Sequence, residues 1–497
     1  MEQQTRIIRD PVHGDIVIGS LQAAVIDTPV FQRLRYIRQN GLLHFVFPGA
    51  VHTRFSHSIG TMHVARRAFS VLFPEYRPHK PDADDPVFYV GQIFELAALL
   101  HDVGHCAFSH SLEKIKLPGG RPIFPPVDEI VRNWKDATLT EWWRLEGKTY
   151  KRPKETEHEQ VGMLLTRMLF REDDERVADG CQAVLKQGPG TVAQDVLALL
   201  HRKHGIDPSK RFLSAAETLA TSLETPEKAV QPAKDLTQAL STLISGSLDV
   251  DRLDYLRRDS LFTGTTYGIC DTEILIGSLI LGVTEDGRLH LGLRSRGVKA
   301  ADDFMWSRFQ LFLQVLNHKT NVVLNALLRE ALPEVLGESN VPLQEPKSFR
   351  DYLDFTDDRV MASVRSACIY QADGDQTTYA RALFHRRFPL YLGAKSLTGG
   401  SEDSANIRDH RRELASQHLG SEERYEEIRT SEVTSELIKG GGLPFVHVRD
   451  KATGQEVLRA PGDEGTYKVN EWTKTGSLPL IVREAHFFVD RKDVAKP

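Results

Sequence analysis

Val90–His110 reads VGQIFELAALLHDVGHCAFSH. An apolar run at helical spacing stops at His101, and three histidines and an aspartate fall within the ten residues from His101 to His110, although the 497-residue chain holds only 19 histidines. Adjacent helical residues diverge by about 100°, yet His101 and Asp102 can both reach one ion lying beside the helix end. His105 sits one turn from His101, on the same face. A charged Asp102 behind FELAALL is costly to bury without a partner, and a metal is an effective one. A bare His-Asp pair is more often a helix cap with one hydrogen bond, so the pair needs company before it implies chemistry.

That company lies elsewhere in the chain. RFSH places His57 in a second amphipathic helix behind Arg54, and His158–Glu159 opens a third. SLDVDRLDYLRRD, Ser247–Asp259, holds four aspartates and three arginines in thirteen residues. Its interleaved Leu248, Val250, Leu253 and Leu256 predict a helix that turns much of this charge inward, where it needs partners.

Working outward, LQAAVIDTPVFQRLRYIRQ predicts helix, with Asp27–Thr28–Pro29 as a stop and restart. VHTRFSHSIGTMHVARRAF is a further helix, joined to the central one through the polar connection HKPDADDP. LPGGRPIFPPVD reads as a loop, and DATLTEWWRLEGKTYKRPKETEHEQ as a flap or irregular insertion. Helical patterning resumes at HEQVGMLLTRML and covers most of the stretch to residue 335, including DDFMWSRFQLFLQVLNHKTNVVLNALLREAL as one long pattern. KSLTGGSEDSAN predicts a flexible loop and KGGG, Lys439–Gly442, a break. PFVHVRDKATGQEVLR predicts a hairpin and PLIVREAHFFVD one more strand. The expected organisation is mostly α: a helical core over residues 1–335 and a mixed α/β region over 336–497, suited to assembly or regulation.

Composition bounds the function. An apolar fraction of 40% and a charged fraction of 26% are ordinary for a globular protein, and 63 basic against 68 acidic residues leave a net charge of −5. That balance disfavours nucleic acid as the principal partner. The four cysteines form no CxxC, which excludes a zinc ribbon and fits a reducing cytoplasm. MEQQTRIIRDPVHG lacks a signal-peptide core and no apolar stretch is of membrane-spanning length, so a soluble, cytoplasmic protein without a membrane partner is expected.

The blocks RDPVHGDI, DTPVFQRLRYIRQNG, FPGAVHTRFSHSIG, LLHDVGHCAFSH, HEQ, DVDRLDYLRRD and RFQLFLQVLNHK together resemble the HD-domain phosphohydrolases. More narrowly, they resemble the deoxynucleoside triphosphate triphosphohydrolases of the SAM-and-HD-domain type, without the SAM domain. The resemblance reaches about residue 320 and implies an HD-domain helical core.

It further implies His57, His101, Asp102 and Asp251 as ligands of a divalent ion. Two imidazoles and two carboxylates suit Mn, Fe, Ni, Zn or Mg, and ligand softness does not choose among them. His110, Glu113 and His158 match positions of proton transfer, with His110 as the general acid for the departing 5′ oxygen. Arg54, His105, Arg252, Arg308, His318 and Lys319 match phosphate-contacting positions. Tyr255 would flank the sugar, and Gln39 and Asp259 would bind its 3′-hydroxyl. Asn40 and Leu316 depart from the pattern, the first where an apolar residue packs at C2′ and the second where an aromatic residue lies near the base. These departures leave ribonucleotide exclusion and base preference open. Asp27, Gln32 and Arg35 match a site for an activating guanine nucleotide at a subunit junction; as plain sequence they read as a capped helix start.

The expected activity is hydrolysis of a dNTP to deoxynucleoside and inorganic triphosphate by a homo-oligomer, dimer or tetramer. Two readings compete with it: a phosphohydrolase of another nucleotide or nucleic-acid phosphoester, and a nucleotide-sensing protein with a weak HD site.

Overall fold

The chain opens with an antiparallel hairpin of β1 (Arg6–Asp10) and β2 (Gly14–Ile18), paired from Arg6 opposite Ile18 to Asp10 opposite Gly14. A computed structural model describes residues 5–113, 115, 117, 122–146, 157–201, 205–223, 230–284, 286–336, 343–370 and 379–387, together with five strands between 390 and 489. Helix α1 (Ser20–Ile26) ends at Asp27, and the Thr28 side chain accepts the Phe31 amide to cap α2 (Pro29–Gln32), which is the expected stop and restart.

Helix α3 (Arg54–Leu72) packs on α4 (Pro86–Leu100), which starts at an Asp85 cap with Pro86 in its first turn. Every residue of α4 from Val87 to Leu100 is buried, so this helix is the centre of the core rather than an amphipathic cover. It is followed by α5 (His110–Glu113), α6 (Val127–Trp134), α7 (Ala137–Glu146), α8 (His158–Leu169) and α9 (Glu175–Leu185). Next come α10 (Pro189–Leu200), α11 (Lys210–Thr221), α12 (Pro232–Ile244), α13 (Val250–Thr263) and α14 (Thr272–Gly277). Helices α3, α10 and α11 all pack against α4, and α13 lies across α3.

The expected flap is in part a helix. Leu139, Trp142 and Trp143 give α7 a buried face, and the Trp143 indole donates to Asp128 at 2.7 Å. The remainder of that segment, 147–156, lies outside the described residues. A second departure follows α14, where β3 (Leu279–Val283) and β4 (Leu289–Arg294) form an antiparallel hairpin inside the stretch read as helical.

The long pattern after it is two helices, α15 (Val298–Leu311) and α16 (Lys319–Val335), joined by a π-helical turn over Phe312–Leu316. His318 ends the run: its backbone is extended, and its ring accepts the Thr320 amide as a cap for α16.

The chain continues with α17 (Phe349–Asp354), α18 (Asp357–Tyr370) and α19 (Tyr379–Phe384). The strands β5 (Leu390–Leu397), β6 (Glu426–Arg429), β7 (Phe445–Arg449), β8 (Glu456–Arg459) and β9 (Arg483–Val489) follow. β7 and β8 form the expected hairpin, and β7 adds in parallel to β4, giving a sheet of order β3-β4-β7-β8. β9 forms where a last strand was expected and lies between β5 and β6. The first residues of KSLTGGSEDSAN extend β5 to Leu397, while its remainder and Lys439–Gly442 lie outside the described residues.

The architecture is therefore mostly α, with small sheets in the C-terminal part. One apolar core runs from Ile16 in β2 to Leu383 in α19 and Val446 in β7. Among the described residues no helix is long and apolar enough to cross a membrane.

Candidate metal centre and phosphate cleft

Four elements deliver the site. Helix α3 brings Arg54 and His57 on one face, the end of α4 brings His101 and Asp102, α8 begins with His158, and α13 carries Asp251 through Asp259. The turn after α4 can approach α8 because residue 104 is glycine. A Cβ there would lie 2.0 Å from the His158 carbonyl oxygen and 2.2 Å from the Gly162 amide nitrogen.

The same turn holds two non-glycine residues in the left-handed region, Phe108 at φ 54° and Ser109 at φ 53°. Each costs about 1–3 kcal/mol unless its surroundings enforce it. Asp357 at the start of α18 does so by accepting the Phe108 amide at 2.8 Å and the Arg38 amide at 3.0 Å. The Tyr352 hydroxyl of α17 donates to the Gly104 carbonyl beside it.

Three of the four expected metal ligands, His57, His101 and Asp251, bring donor atoms within 4.8 Å of one another, and Asp102 stands beside them, held by Arg54. His57 Nε2 lies 3.0 Å from Asp251 Oδ1, 3.4 Å from Asp102 Oδ2 and 3.3 Å from His101 Nε2. His101 Nε2 in turn lies 3.4 Å from Asp102 Oδ1 and 3.5 Å from Asp251 Oδ1. Donors at about 2.0–2.2 Å around one ion stand about 2.8–3.6 Å from each other, so these separations suit a single divalent ion.

Proton placement supports the same fit. The Ala98 carbonyl can only accept, so His101, 2.8 Å away through Nδ1, keeps its proton there and points the Nε2 lone pair inward. His57 does likewise, with Nδ1 2.7 Å from Asp254 Oδ2. Two inward ring nitrogens and the Asp251 carboxylate thus converge, with Asp102 beside them, and call for positive charge. In keeping with this, burial disfavours the His57 cation, but its hydrogen bonds to the Asp251 and Asp254 carboxylates outweigh that and push its pKa up to about 10. Burial alone would raise Asp102; Arg54, His101 and His105 hold it well below the usual carboxylate range instead.

A second trio, His105, His110 and His158, also brings its nitrogens within 4.8 Å of one another. It is less suited to an ion, because the His105 and His158 rings stack at 3.8 Å with 9° between their planes. No ion can lie in both ring planes at once, as imidazole lone pairs require. His110 meets both rings edge-on at 4.9 and 5.0 Å and is exposed at the mouth of the cleft rather than seated in the core. Burial, with Arg54 and His158 adding to it, keeps His105 well below the ordinary imidazole range, hence neutral. The side chain of Glu113 lies outside the described residues.

Above both groups opens a cleft of about 670 Å³. His101, Asp102 and Asp251 line its floor, and His105, His110 and His158 line one flank, while Gln39, Arg54, Arg252, Tyr255 and Asp259 also line it, as expected. Arg54 donates to Asp102 and, through Nε, to Ser109 Oγ at 2.8 Å, so its guanidinium is fixed at the metal end. Arg252 turns back onto Asp249 and the Gly246 carbonyl. Burial pushes the Tyr255 hydroxyl up to about 12.

Arg308, His318 and Lys319 do not line the cleft. Arg308 lies over the Phe312 ring at 5.7 Å, and His318 meets Phe47 at 6.0 Å. The break between α15 and α16 puts Arg308 on one helix and His318–Lys319 at the start of the next, although they were read as sharing one.

Asp27, Gln32 and Arg35 come together on α1, α2 and the following 3-10 turn. Each is engaged internally: Asp27 by Arg6 at 2.6 and 2.8 Å, and Gln32 by Arg35 Nε at 2.7 Å and the Ile26 carbonyl at 2.8 Å. Arg35 also lies over the Phe55 ring at 3.6 Å.

Sequence reasoning missed Glu159, which lines the cleft, and His52, which pairs with Asp259 at 2.7 Å. Asp254 was placed on the face of Asp251 by its spacing, three residues on, but given no role.

Comparison with known proteins agrees with this geometry. Residues 54–222 match the HD domain family, and that segment carries Arg54, His57, His101, Asp102 and His158. More narrowly, the chain is homologous to deoxynucleoside triphosphate triphosphohydrolases. It is 26% identical to human SAMHD1 over 333 residues, 66% of this chain and 44% of that protein, and 42% identical to the Gallus gallus protein over 135 residues, 27% and 20% of the two chains. An uncharacterised protein of Methanocaldococcus jannaschii is 25% identical over 346 residues, 70% of this chain and 53% of that one. The chain spans about half the length of the curated relatives it matches. Among solved structures, a phosphohydrolase from Bacteroides thetaiotaomicron shares the fold with a TM-score of 0.61 at 21% identity, over 98% of this chain and 100% of that one.

Proposed function

We propose that the chain is a metal-dependent phosphohydrolase that converts a dNTP and water to deoxynucleoside and inorganic triphosphate. The observation that carries the reading is the convergence of His57, His101 and Asp251, with Asp102 beside them and both Nδ1 atoms engaged elsewhere. When bound, a divalent ion there supplies Lewis-acid polarisation of a phosphoryl oxygen and a water of lowered pKa.

The chain's own groups do the rest. Arg54 holds phosphate oxygens at the metal end, neutral His105 orients the reacting phosphate by hydrogen bonding, and His110 donates a proton to the departing 5′ oxygen with His158 against it. Tyr255, Gln39 and Asp259 hold the sugar. Asp27, Gln32 and Arg35 form a regulatory nucleotide site in an oligomer, once their internal contacts give way. The triphosphohydrolases among the relatives support this choice of substrate.

One observation favours a second reading. With Arg252 folded onto Asp249 and Arg308, His318 and Lys319 outside the cleft, the floor presents fewer cations than a triphosphate attracts, which suits a phosphoester of lower charge. Anion-exchange analysis of products from each dNTP, each alone and in mixture with GTP and Mn²⁺ or Mg²⁺, separates the two. Intact triphosphate plus deoxynucleoside, lost in His101→Ala/Asp102→Ala, supports the first reading. No triphosphate from any mixture, with turnover of a nucleotide monoester or diester, replaces it with the second.

A further inference from the structure

The motif RDPVHG, Arg9–Gly14, takes no part in the chemistry above, yet the fold carries it to the back of the metal cluster. Asp10 Oδ1 accepts the amides of Val12 and His13 at 2.8 and 3.0 Å, which closes the turn between β1 and β2. The His13 ring then reaches inward, its Nε2 2.6 Å from Asp254 Oδ1. Arg258 clamps Asp254 through Nε and Nη2, both at 2.8 Å, and holds Asp10 Oδ2 through Nη1 at 2.8 Å. The remaining partner of Asp254 is the Nδ1–H of His57.

Every side chain in this relay is buried; Asp254, Arg258 and His57 are each 0% exposed. Space for it is made by the absence of a side chain at Gly60, one turn along α3 from His57. A Cβ there would stand 2.0 Å from Asp254 Oδ1 and 2.3 Å from Arg258 Nη2.

We propose that Asp254 is a positioning residue for the metal-binding nitrogen of His57, and that Arg258, Asp10 and His13 hold it in place, making the N-terminal hairpin the outer layer of the metal centre. The inference rests on reading the four converging side chains as a metal site. A carboxylate on Nδ1–H fixes both the tautomer and the ring plane of a ligating histidine and raises the basicity of Nε2, an effect commonly worth about 10–100-fold in metal affinity. A rigid carboxylate needs its own supports. Here two come from α13 itself and from a hairpin some 240 residues away in sequence, at separations of 241 for His13 and 248 for Asp10 from their partners.

The test is a Co²⁺ titration of the full chain after chelator treatment, read by visible absorption and calorimetry. Asp254→Asn is expected to weaken Co²⁺ binding about 10–100-fold, with the native spectrum restored at excess Co²⁺. His13→Gln should weaken it in the same direction by a smaller factor. Tyr89→Phe, which removes the buried hydrogen bond to Asp195 at 2.7 Å, should lower the melting temperature and leave Co²⁺ affinity unchanged. The proposal is overturned if folded Asp254→Asn, or His13→Gln where the first variant does not fold, binds Co²⁺ within twofold of the parent. It is overturned equally if Tyr89→Phe weakens binding as much. A parent chain that binds no Co²⁺ overturns the metal-site reading itself.

Discussion

His57 Nε2 and His101 Nε2 face each other across 3.3 Å, while their Nδ1 atoms turn away, one to Asp254 and the other to the Ala98 carbonyl. Two ring nitrogens held at that distance beside Asp251 favour a positive charge between them, either a proton on His57 or a bound cation.

Removal of the ion should therefore loosen the fold where α3, α4 and α13 meet. A ligand present at one hundred times its dissociation constant stabilises by about 2.7 kcal/mol, so chelation should lower the melting temperature by several degrees. Differential scanning calorimetry of the parent and of Asp251→Ala checks this. The variant should melt low and be indifferent to chelator.

His110 is exposed at the cleft mouth and packs edge-on against His105 and His158, the position of a proton donor rather than of a ligand. His110→Ala should lower kcat by about 10²–10⁴ and leave KM and bound metal nearly unchanged. Steady-state kinetics beside metal analysis reads both. Loss of metal in this variant would move His110 from donor to ligand.

Asn40 lines the cleft, and its buried Nδ2 has no hydrogen-bond partner among the described residues; the same is true of Gln39 Oε1 beside it. A donor and an acceptor side by side in a sugar-binding cleft complement a hydroxyl. Asn40→Leu should therefore shift the kcat/KM ratio of dATP to ATP toward the deoxynucleotide by about tenfold, the worth of one hydrogen bond of about 1.4 kcal/mol. An unchanged ratio would remove Asn40 from sugar recognition.

Burial pushes Asp357, which holds the strained Phe108–Ser109 turn, up to about 7. A carboxyl raised in the folded state contributes stability that is full below its unfolded pKa near 4 and is lost as pH rises through 7. Urea unfolding from pH 4 to 8 should show a falling component of up to about 1.4 kcal/mol per pH unit, the slope for one proton. Asp357→Asn should remove that component.

What the sequence revealed was what is local. HDVGH, RFSH and DVDRLD each sit on one helix or its end, so their helical faces could be read from spacing, and the structure brings those faces together. Asp254 was within reach by the same spacing, but its partners His57 and His13 lie 197 and 241 residues away, which no periodicity conveys. The break at Asn317–His318 was hidden because apolar residues continue at helical spacing through it, while the cap that starts the second helix is a ring nitrogen accepting a backbone amide. The hairpin β3–β4 carried its own signal, Asp286–Gly287 between alternating residues, and was overlooked inside a helical stretch. Its parallel pairing with β7 was beyond any local pattern.

The most direct measurement is the location of the ion. Crystals of the full chain grown with Mn²⁺, measured at the Mn absorption edge, should show an anomalous peak about 2.0–2.3 Å from His57, His101, Asp102 and Asp251. A peak among His105, His110 and His158 instead, or none at a concentration that saturates activity, would contradict the account.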